Sequence, residues 1–264
     1  MTVRSPIDIV SAIESNLHHF YEFAATSANL ELVREKDYSW VRNRDSAWPN
    51  WIFRLNREML DQEDYIRSLT DRIKDKELPP FLVTLEPDYP ERFYALTAKY
   101  GMKQINRWTG MAITKEDYKS LPEKFERHPI LEVHNRDVIG DWISVVNSSL
   151  FNSTTLETEI VEKLYQRGPL KLYLGYENKF PVSTSMSFEK DSIAGLYMIA
   201  TMESYRGKGW GTLLTRYAME KSFQNNTRMI ILHASAMGEA VYRKIGFKEY
   251  CKFGILWMVG KNYR

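Results

Sequence analysis

The stretch YRGKGWGTLL, residues 205–214, sets glycines at the alternate positions 207, 209 and 211 between an apolar run and the start of a helical pattern. Glycine reaches positive φ without steric cost, and a chain lacking every second Cβ lets backbone N–H groups converge on an anion at close range. The flanks supply the rest of such a site. SIAGLYMIATM (192–202) is an apolar run of strand length, and Trp210, Leu213, Leu214, Tyr217 and Ala218 recur at helical spacing. A strand that feeds a glycine loop opening a helix puts the positive end of a macrodipole where a phosphate would sit, with Arg206 and Lys208 adding charge.

Spacing separates the phosphate-loop types. A Walker loop needs Gly-Lys-Ser/Thr, but Lys208 is followed by Gly209, and the dinucleotide fingerprint needs glycine at the position of Thr212. What remains, Arg206-Gly207-Lys208-Gly209-Trp210-Gly211, resembles the Q/R-x-x-G-x-G/A loop of the GNAT acyltransferase superfamily. A second stretch carries the same resemblance: the short apolar strand RMIILHA (228–234) precedes SAMGEAVYRKIGFKEY (235–250), read as a helix with Tyr242, a stop at Gly246 and an apolar anchor at Phe247.

The resemblance implies that Arg206, Gly207, Lys208, Gly209, Trp210, Gly211 and Thr212 hold the pyrophosphate of acetyl-coenzyme A, here a co-substrate. It implies too that the glycine-loop strand splays from the next strand, leaving main-chain groups of Ile199, Ala200 and Thr201 to pair with the pantetheine amides. An amine then attacks the thioester directly, with its carbonyl polarised by backbone N–H. Tyr242 stands at the position from which a hydroxyl protonates the leaving thiolate. Ser235 replaces the usual asparagine before the second helix and is expected to cap it or bind the cofactor. Trp210 is bulkier than the usual residue and either packs beneath the loop or stacks on adenine.

The base is the main departure. Many relatives carry a glutamate in the middle of the glycine-loop strand, where this chain has Ala194, Gly195 and Leu196. His233, beside the fork, titrates in the right range and is the candidate base, with Glu177, Glu203 and a water chain as alternatives. The missing glutamate also motivates a second reading, a non-catalytic acyl-CoA-binding sensor or scaffold.

Composition narrows the classes. In 264 residues, 44% are apolar, and the net charge of +2 comes from lysines and arginines spread along the chain, so nucleic acid is not an expected partner. No apolar run reaches membrane-span length, and the N-terminus is too polar for a secretory signal. Cys251 is the sole cysteine, so an intramolecular disulfide is impossible and cytoplasmic residence is expected. His18, His19, His128 and His134 lack spacing to acidic or sulfur partners, which points to solvated or capping histidines and no metal site. The acceptor is expected to be an amine on a small molecule, a peptide or a protein; dimers are common in the family.

The chain divides in two. Residues 8–25 read as a helix, 28–45 and 49–56 as strands, 61–78 as a helix, 80–88 as a strand, and 89–113 as helix, glycine stop and strand; 130–150 begins again with strand and helix, followed by a helix at 156–167 and a hairpin turning at Asn178-Lys179. Lys99-Tyr100-Gly101-Met102-Lys103 lines up with Lys244-Ile245-Gly246-Phe247-Lys248, and Met111 and Ile113 with Leu256 and Met258 at the same offset. Only Gly101 and Gly110 of the thirteen glycines precede residue 140, so the first copy has no phosphate loop. The expected architecture is an α/β protein: a GNAT-like mixed central sheet flanked by helices over residues 126–264, joined to a degenerate GNAT-like domain over 1–125.

Overall fold

The computed structural model describes residues 6–120, 129–151, 155–166 and 168–260, with side chains from residue 9 onward. The proposed boundary at 125/126 and His128 lie outside the described residues.

Two series of elements follow one another; both end on three strands, a 3-10 turn, a helix, a strand, a helix and a strand, and the second opens with one more strand and one more α-helix than the first. The first is helix α1 (Pro6–Ala28), strands β1 (Glu31–Arg34), β2 (Ser39–Arg42) and β3 (Asn50–Phe53), a 3-10 turn at Arg57–Met59, α2 (Glu63–Lys74), β4 (Phe81–Glu86), α3 (Glu91–Lys99) and β5 (Met102–Thr114). The second is β6 (Ile130–Glu132), α4 (Arg136–Val146), α5 (Thr158–Tyr165), β7 (Leu170–Glu177), β8 (Phe180–Lys190), β9 (Ile193–Thr201), a 3-10 turn at Glu203–Tyr205, α6 (Trp210–Gln224), β10 (Met229–Ala234), α7 (Glu239–Ile245) and β11 (Lys248–Met258). Gly101 and Gly246, which align in the sequence repeat, both have left-handed φ (98° and 119°) and both stand between the last helix and last strand of their series. Only glycine takes that conformation routinely, so the sharp helix stop appears in both copies.

All eleven strands form one sheet in the order β1-β2-β3-β4-β11-β5-β10-β9-β8-β7-β6. The last strand of each series crosses into the other. β11 pairs antiparallel with β4 (Phe81↔Trp257 to Glu86↔Lys252) and with β5 (Met102↔Met258 to Ala112↔Lys248), while β5 also pairs with β10 (Thr109↔Ala234 to Thr114↔Met229). Each half therefore completes the other's sheet, and the two halves share one backbone hydrogen-bond network. The parallel pairs repeat as well: β3 beside β4, and β9 beside β10.

Helix α1 buries Ile9, Ala12, Ile13, Leu17, Phe20, Tyr21, Ala24 and Ala28, the spacing of one helical face, and packs across β9, β5 and β11. Helices α6 and α7 cover the opposite face through Leu214, Ala218, Met219, Tyr242 and Ile245, against Met111, Ile113, Leu196, Ile230 and Leu232.

Residues 28–45 differ from the single strand expected. They form the hairpin β1–β2, turning through 35–38, because Glu35-Lys36-Asp37 interrupts two short apolar runs and Glu35 N bonds Tyr38 O at 2.9 Å. The hairpin at Asn178-Lys179 forms as read, both residues having positive φ (50° and 69°), as a tight right-twisted hairpin requires. Trp40 and Trp48 are buried, and Trp51 stacks on Tyr21 with Trp108 at its edge, so these tryptophans are packing within the first half.

Candidate active site

Strands β9 and β10 pair in parallel only from Ile193↔Met229 to Leu196↔Leu232. Beyond that point β9 stays with β8, and a bulge follows: Met186 pairs Tyr197 and Thr184 pairs Ala200, so Met198 and Ile199 oppose Ser185 alone, with Met198 at φ 47°. The result is a fork. Ile199, Ala200 and Thr201 keep β8 on one edge and have no pairing with β10 on the other.

At the wide end of the fork lies the glycine loop. Gly207 (φ 76°) and Gly209 (φ 89°) take the left-handed conformation, and Gly209 caps α6 with its carbonyl accepting from Leu213 N at 3.0 Å. A Cβ built on either glycine meets nothing within 4 Å, so the space above the loop is open. A helix leaves the N–H groups of its first turn without intrahelical partners, and the first turn of α6 holds no acidic residue. Arg206 Nε donates to Thr201 O at 3.2 Å, and exposed Lys208 lies 4.7 Å over the Tyr205 ring. Thr212 is half-buried on the first turn.

The Trp210 ring is 6% exposed and packs against Gly175, so an adenine stack is ruled out by burial and any contact with a ligand runs through its main chain. Its Nε1 donates to Glu177 Oε2 at 2.7 Å, and Lys208 Nζ lies 3.8 Å from Glu177 Oε1. Glu177, an alternative for the base, is thus a support of the loop, a role that no spacing in the sequence announces.

On the second motif the helix is shorter than read. α7 begins at Glu239, and Ser235 is exposed in the turn before it, where Oγ accepts from Gly238 N at 3.3 Å and the Ser235 carbonyl takes Gly238 and Glu239 N–H. Tyr242 is 8% exposed beside Phe247, and burial raises its phenol above the ordinary value, so it stays protonated at neutral pH. Cys251 is buried and its thiol is pushed up to about 12 by burial, which removes it as a nucleophile.

His233 follows the last β9–β10 pair, on the α1 side. Its ring is surrounded by Phe253 (4.7 Å between centroids, edge-on), Tyr197 (6.1 Å, stacked) and Trp108 (6.2 Å, edge-on), and neither ring nitrogen has a hydrogen-bond partner. Burial lowers its pKa to about 3. A base must hold a proton taken from the acceptor, and a desolvated imidazole without a carboxylate beside it holds one poorly. That environment weighs against His233 as the group that deprotonates an ammonium. The residues around it were not singled out from sequence, although Gly195 carried a signal: a Cβ there would come within 2.1 Å of Asn16 Oδ1 and 2.4 Å of the Tyr197 ring, the close approach that a mid-strand glycine marks. The expectation for His18 is corrected: it is buried against Phe53 rather than solvated.

The first series has no counterpart of this site. The first turn of α2 carries Glu63 and Asp64, whose charge repels phosphate, and Glu63 is held by Lys99 Nζ (2.5 Å) and the Tyr100 hydroxyl (2.7 Å). Arg57, after β3, bonds Glu14 of α1 at 2.8 Å and Asp88 after β4 at 2.9 Å, so ion pairs bridge the place where a second fork would open.

Residues 172–249 match the profile of a family described as an acetyltransferase (GNAT) domain. No curated protein matches the chain in sequence. Among solved structures it is similar to a GCN5-related N-acetyltransferase from Kribbella flavida (TM-score 0.67, 14% identity, 92% of this chain and 95% of that one). It is also similar to a putative GNAT-family acetyltransferase from Novosphingobium aromaticivorans DSM 12444 (0.59, 13%, 97% and 100%). A tandem GNAT protein from the clavulanic acid biosynthesis pathway aligns over 85% of this chain and 79% of its own (0.57, 12% identity). At these identities the structural likeness is one of fold, and it spans both halves of the sheet. Fork, glycine loop and family match coincide in one segment, residues 172–249, and that segment is similar to the acetyltransferase (GNAT) domain.

Proposed function

We propose that the protein is an acetyl-coenzyme-A-dependent N-acetyltransferase in which residues 126–264 bind the co-substrate and residues 1–125 are a degenerate copy that shapes the site. The observation that carries this reading is the glycine loop at the wide end of the fork, with open space above Gly207 and Gly209 and no acidic residue in the first turn of α6. The co-substrate supplies an acetyl group on a thioester. The loop N–H groups with Arg206 and Lys208 hold its pyrophosphate, and the free edge of Ile199, Ala200 and Thr201 receives its amides by strand addition. Tyr242, protonated at neutral pH, gives its proton to the leaving sulfur. The acceptor is an amine that attacks without an acyl-enzyme, since the one cysteine is buried as a thiol. The same reading places the protein in the cytoplasm; among the described residues no helix is long and apolar enough to cross a membrane.

The test is amine-dependent release of free thiol from acetyl-coenzyme A, compared between wild type and Tyr242→Phe. Release that needs an amine and falls in the variant supports catalysis. Binding of the co-substrate with no release for any amine leaves the sensor reading instead.

A further inference from the structure

The fork contains an oddity that the transfer of an acetyl group does not by itself explain. The His233 ring nitrogens are shielded from solvent and both lack partners, and buried polar groups in native proteins are nearly always hydrogen-bonded. It stands one residue past the point where β9 and β10 part, opposite Tyr197, on the face covered by α1. Trp108, Tyr197 and His233 are each half-buried, so this aromatic group reaches the surface of the fork. The groups packed around His233 are Tyr197 of β9, Trp108 of β5 and Phe253 of β11, and His18 of α1 lies within electrostatic range. None is acidic. The charges that bear on His18 from Arg54 and Arg57 are positive. Of the carboxylates near the fork, Glu177 is engaged by Trp210 and Glu239 by Thr109 and Arg243, while exposed Glu203 stands in the 3-10 turn two residues past Thr201, outside the rings around His233.

Resting on the acetyltransferase reading, we infer that the acceptor is an amine uncharged at neutral pH and carried on a flat apolar body, held by a hydrogen bond to His233 between Trp108, Tyr197 and Phe253. Two arguments converge on this. An ammonium entering among these rings loses hydration with no carboxylate packed beside it, which is costly, whereas a neutral amine keeps one hydrogen bond and gains ring contacts. The proton balance agrees. With a neutral amine the C–N bond forms, the C–S bond breaks, and the proton lost by nitrogen replaces the one that Tyr242 gives to sulfur, so no proton is left over and no base is required. An ammonium leaves one proton in excess, and none of Trp108, Tyr197 and Phe253 around His233 can take it. A half-turn of the His233 ring about Cβ–Cγ exchanges nitrogen and carbon positions without changing its shape, which lets either edge meet the ligand.

The full-length protein tests this with two amines of similar ring size, aniline, uncharged at pH 7, and cyclohexylamine, an ammonium there. At a pKa near that of lysine, only about one alkylamine in 10³ is neutral at pH 7. Acetyl-coenzyme A is expected to raise the melting temperature, and thiol release at pH 7 is expected to be at least about tenfold faster with aniline, with the cyclohexylamine rate climbing steeply from pH 7 to 9 while the aniline rate stays flat. His233→Leu should raise KM for aniline by about tenfold, His233→Gln should restore it in part, and both should keep the acetyl-coenzyme A shift. The wild-type comparison needs no variant to fold. Equal or preferred use of cyclohexylamine at pH 7, or use of neither amine by a protein that acetyl-coenzyme A stabilises, overturns the inference alone; no stabilisation by acetyl-coenzyme A removes the acetyltransferase reading beneath it.

Discussion

Trp210 Nε1 donates to Glu177 Oε2 at 2.7 Å, which ties the first residue of α6 to the last residue of β7 and fixes the floor of the glycine loop. The same carboxylate faces Lys208 at 3.8 Å and partly offsets the positive charge there. Glu177→Gln keeps an acceptor for the indole and removes the charge. Acetyl-coenzyme A should then bind a few-fold more tightly at low salt, with the gain shrinking as ionic strength rises. Glu177→Ala should instead lose about 1–3 kcal/mol of stability, because the buried indole N–H is left without its partner. Titration calorimetry at two salt concentrations and urea unfolding check both.

Tyr242 makes no hydrogen bond through its hydroxyl among the described residues, and its ring does the packing. Tyr242→Phe should therefore fold as stably as wild type and bind acetyl-coenzyme A, while kcat falls by about 10²-fold or more. Since burial raises the phenol, the donor form persists below its folded-state pKa, and the rate should not decline through pH 10 on account of Tyr242. A variant with normal kcat would take the acid role from this residue.

Two histidines with desolvated rings, buried His18 and half-buried His233, set an acid limit on stability. His18 and His233 are both lowered to about 3 by burial, against about 6.5 in the unfolded chain. Between those values the unfolded state binds a proton that the folded state refuses, so stability present above pH 6.5 is lost as pH falls toward 3. Each histidine contributes a slope of up to about 1.4 kcal/mol per pH unit. Urea unfolding at pH 7 and pH 5 should show the loss, and His18→Gln or His233→Gln should flatten it. A stability equal at the two pH values would contradict the burial of these rings.

Cys251 fills the space above Gly110, where a Cβ would come within 2.5 Å of Sγ. Gly110→Ala should destabilise by about 1–3 kcal/mol through overpacking, and combining it with Cys251→Ala should recover part of that loss. The thiol of the native protein should resist alkylation at pH 8, and Cys251→Ala should keep its activity.

The features legible in the sequence were those with local causes. Gly207, Gly209 and Gly246 sit at positive φ because the loop and the helix stop require it, and the paired stops at Gly101 and Gly246 exposed the repeat. The hairpin at Asn178-Lys179 was legible for the same reason. What stayed hidden depends on partners distant in the chain. No local pattern tells β5 and β11 that each will complete the other half's sheet, since an apolar strand fits any neighbour of matching register. The bulge at Met198 arises from the pairing with β8 and carries no residue signature. His233 looked like a base because its intrinsic pKa suits one; only the rings of Trp108, Tyr197 and Phe253, drawn from three strands, reveal that burial takes that property away.

The most direct measurement is thermal unfolding with and without acetyl-coenzyme A for wild type and Gly211→Glu. A Cβ at Gly211 meets only Thr201 Oγ1 at an ordinary 3.7 Å, and a glutamate in the first turn of α6 suits the macrodipole, so the unliganded variant should melt at or above the wild-type temperature. At 100 times its dissociation constant, acetyl-coenzyme A should stabilise wild type by about 2.7 kcal/mol, a rise of roughly 5–11 °C, and the added carboxylate should abolish that rise. An equal rise in both proteins, or none in wild type at saturating co-substrate, would contradict the assignment of the glycine loop as the pyrophosphate site.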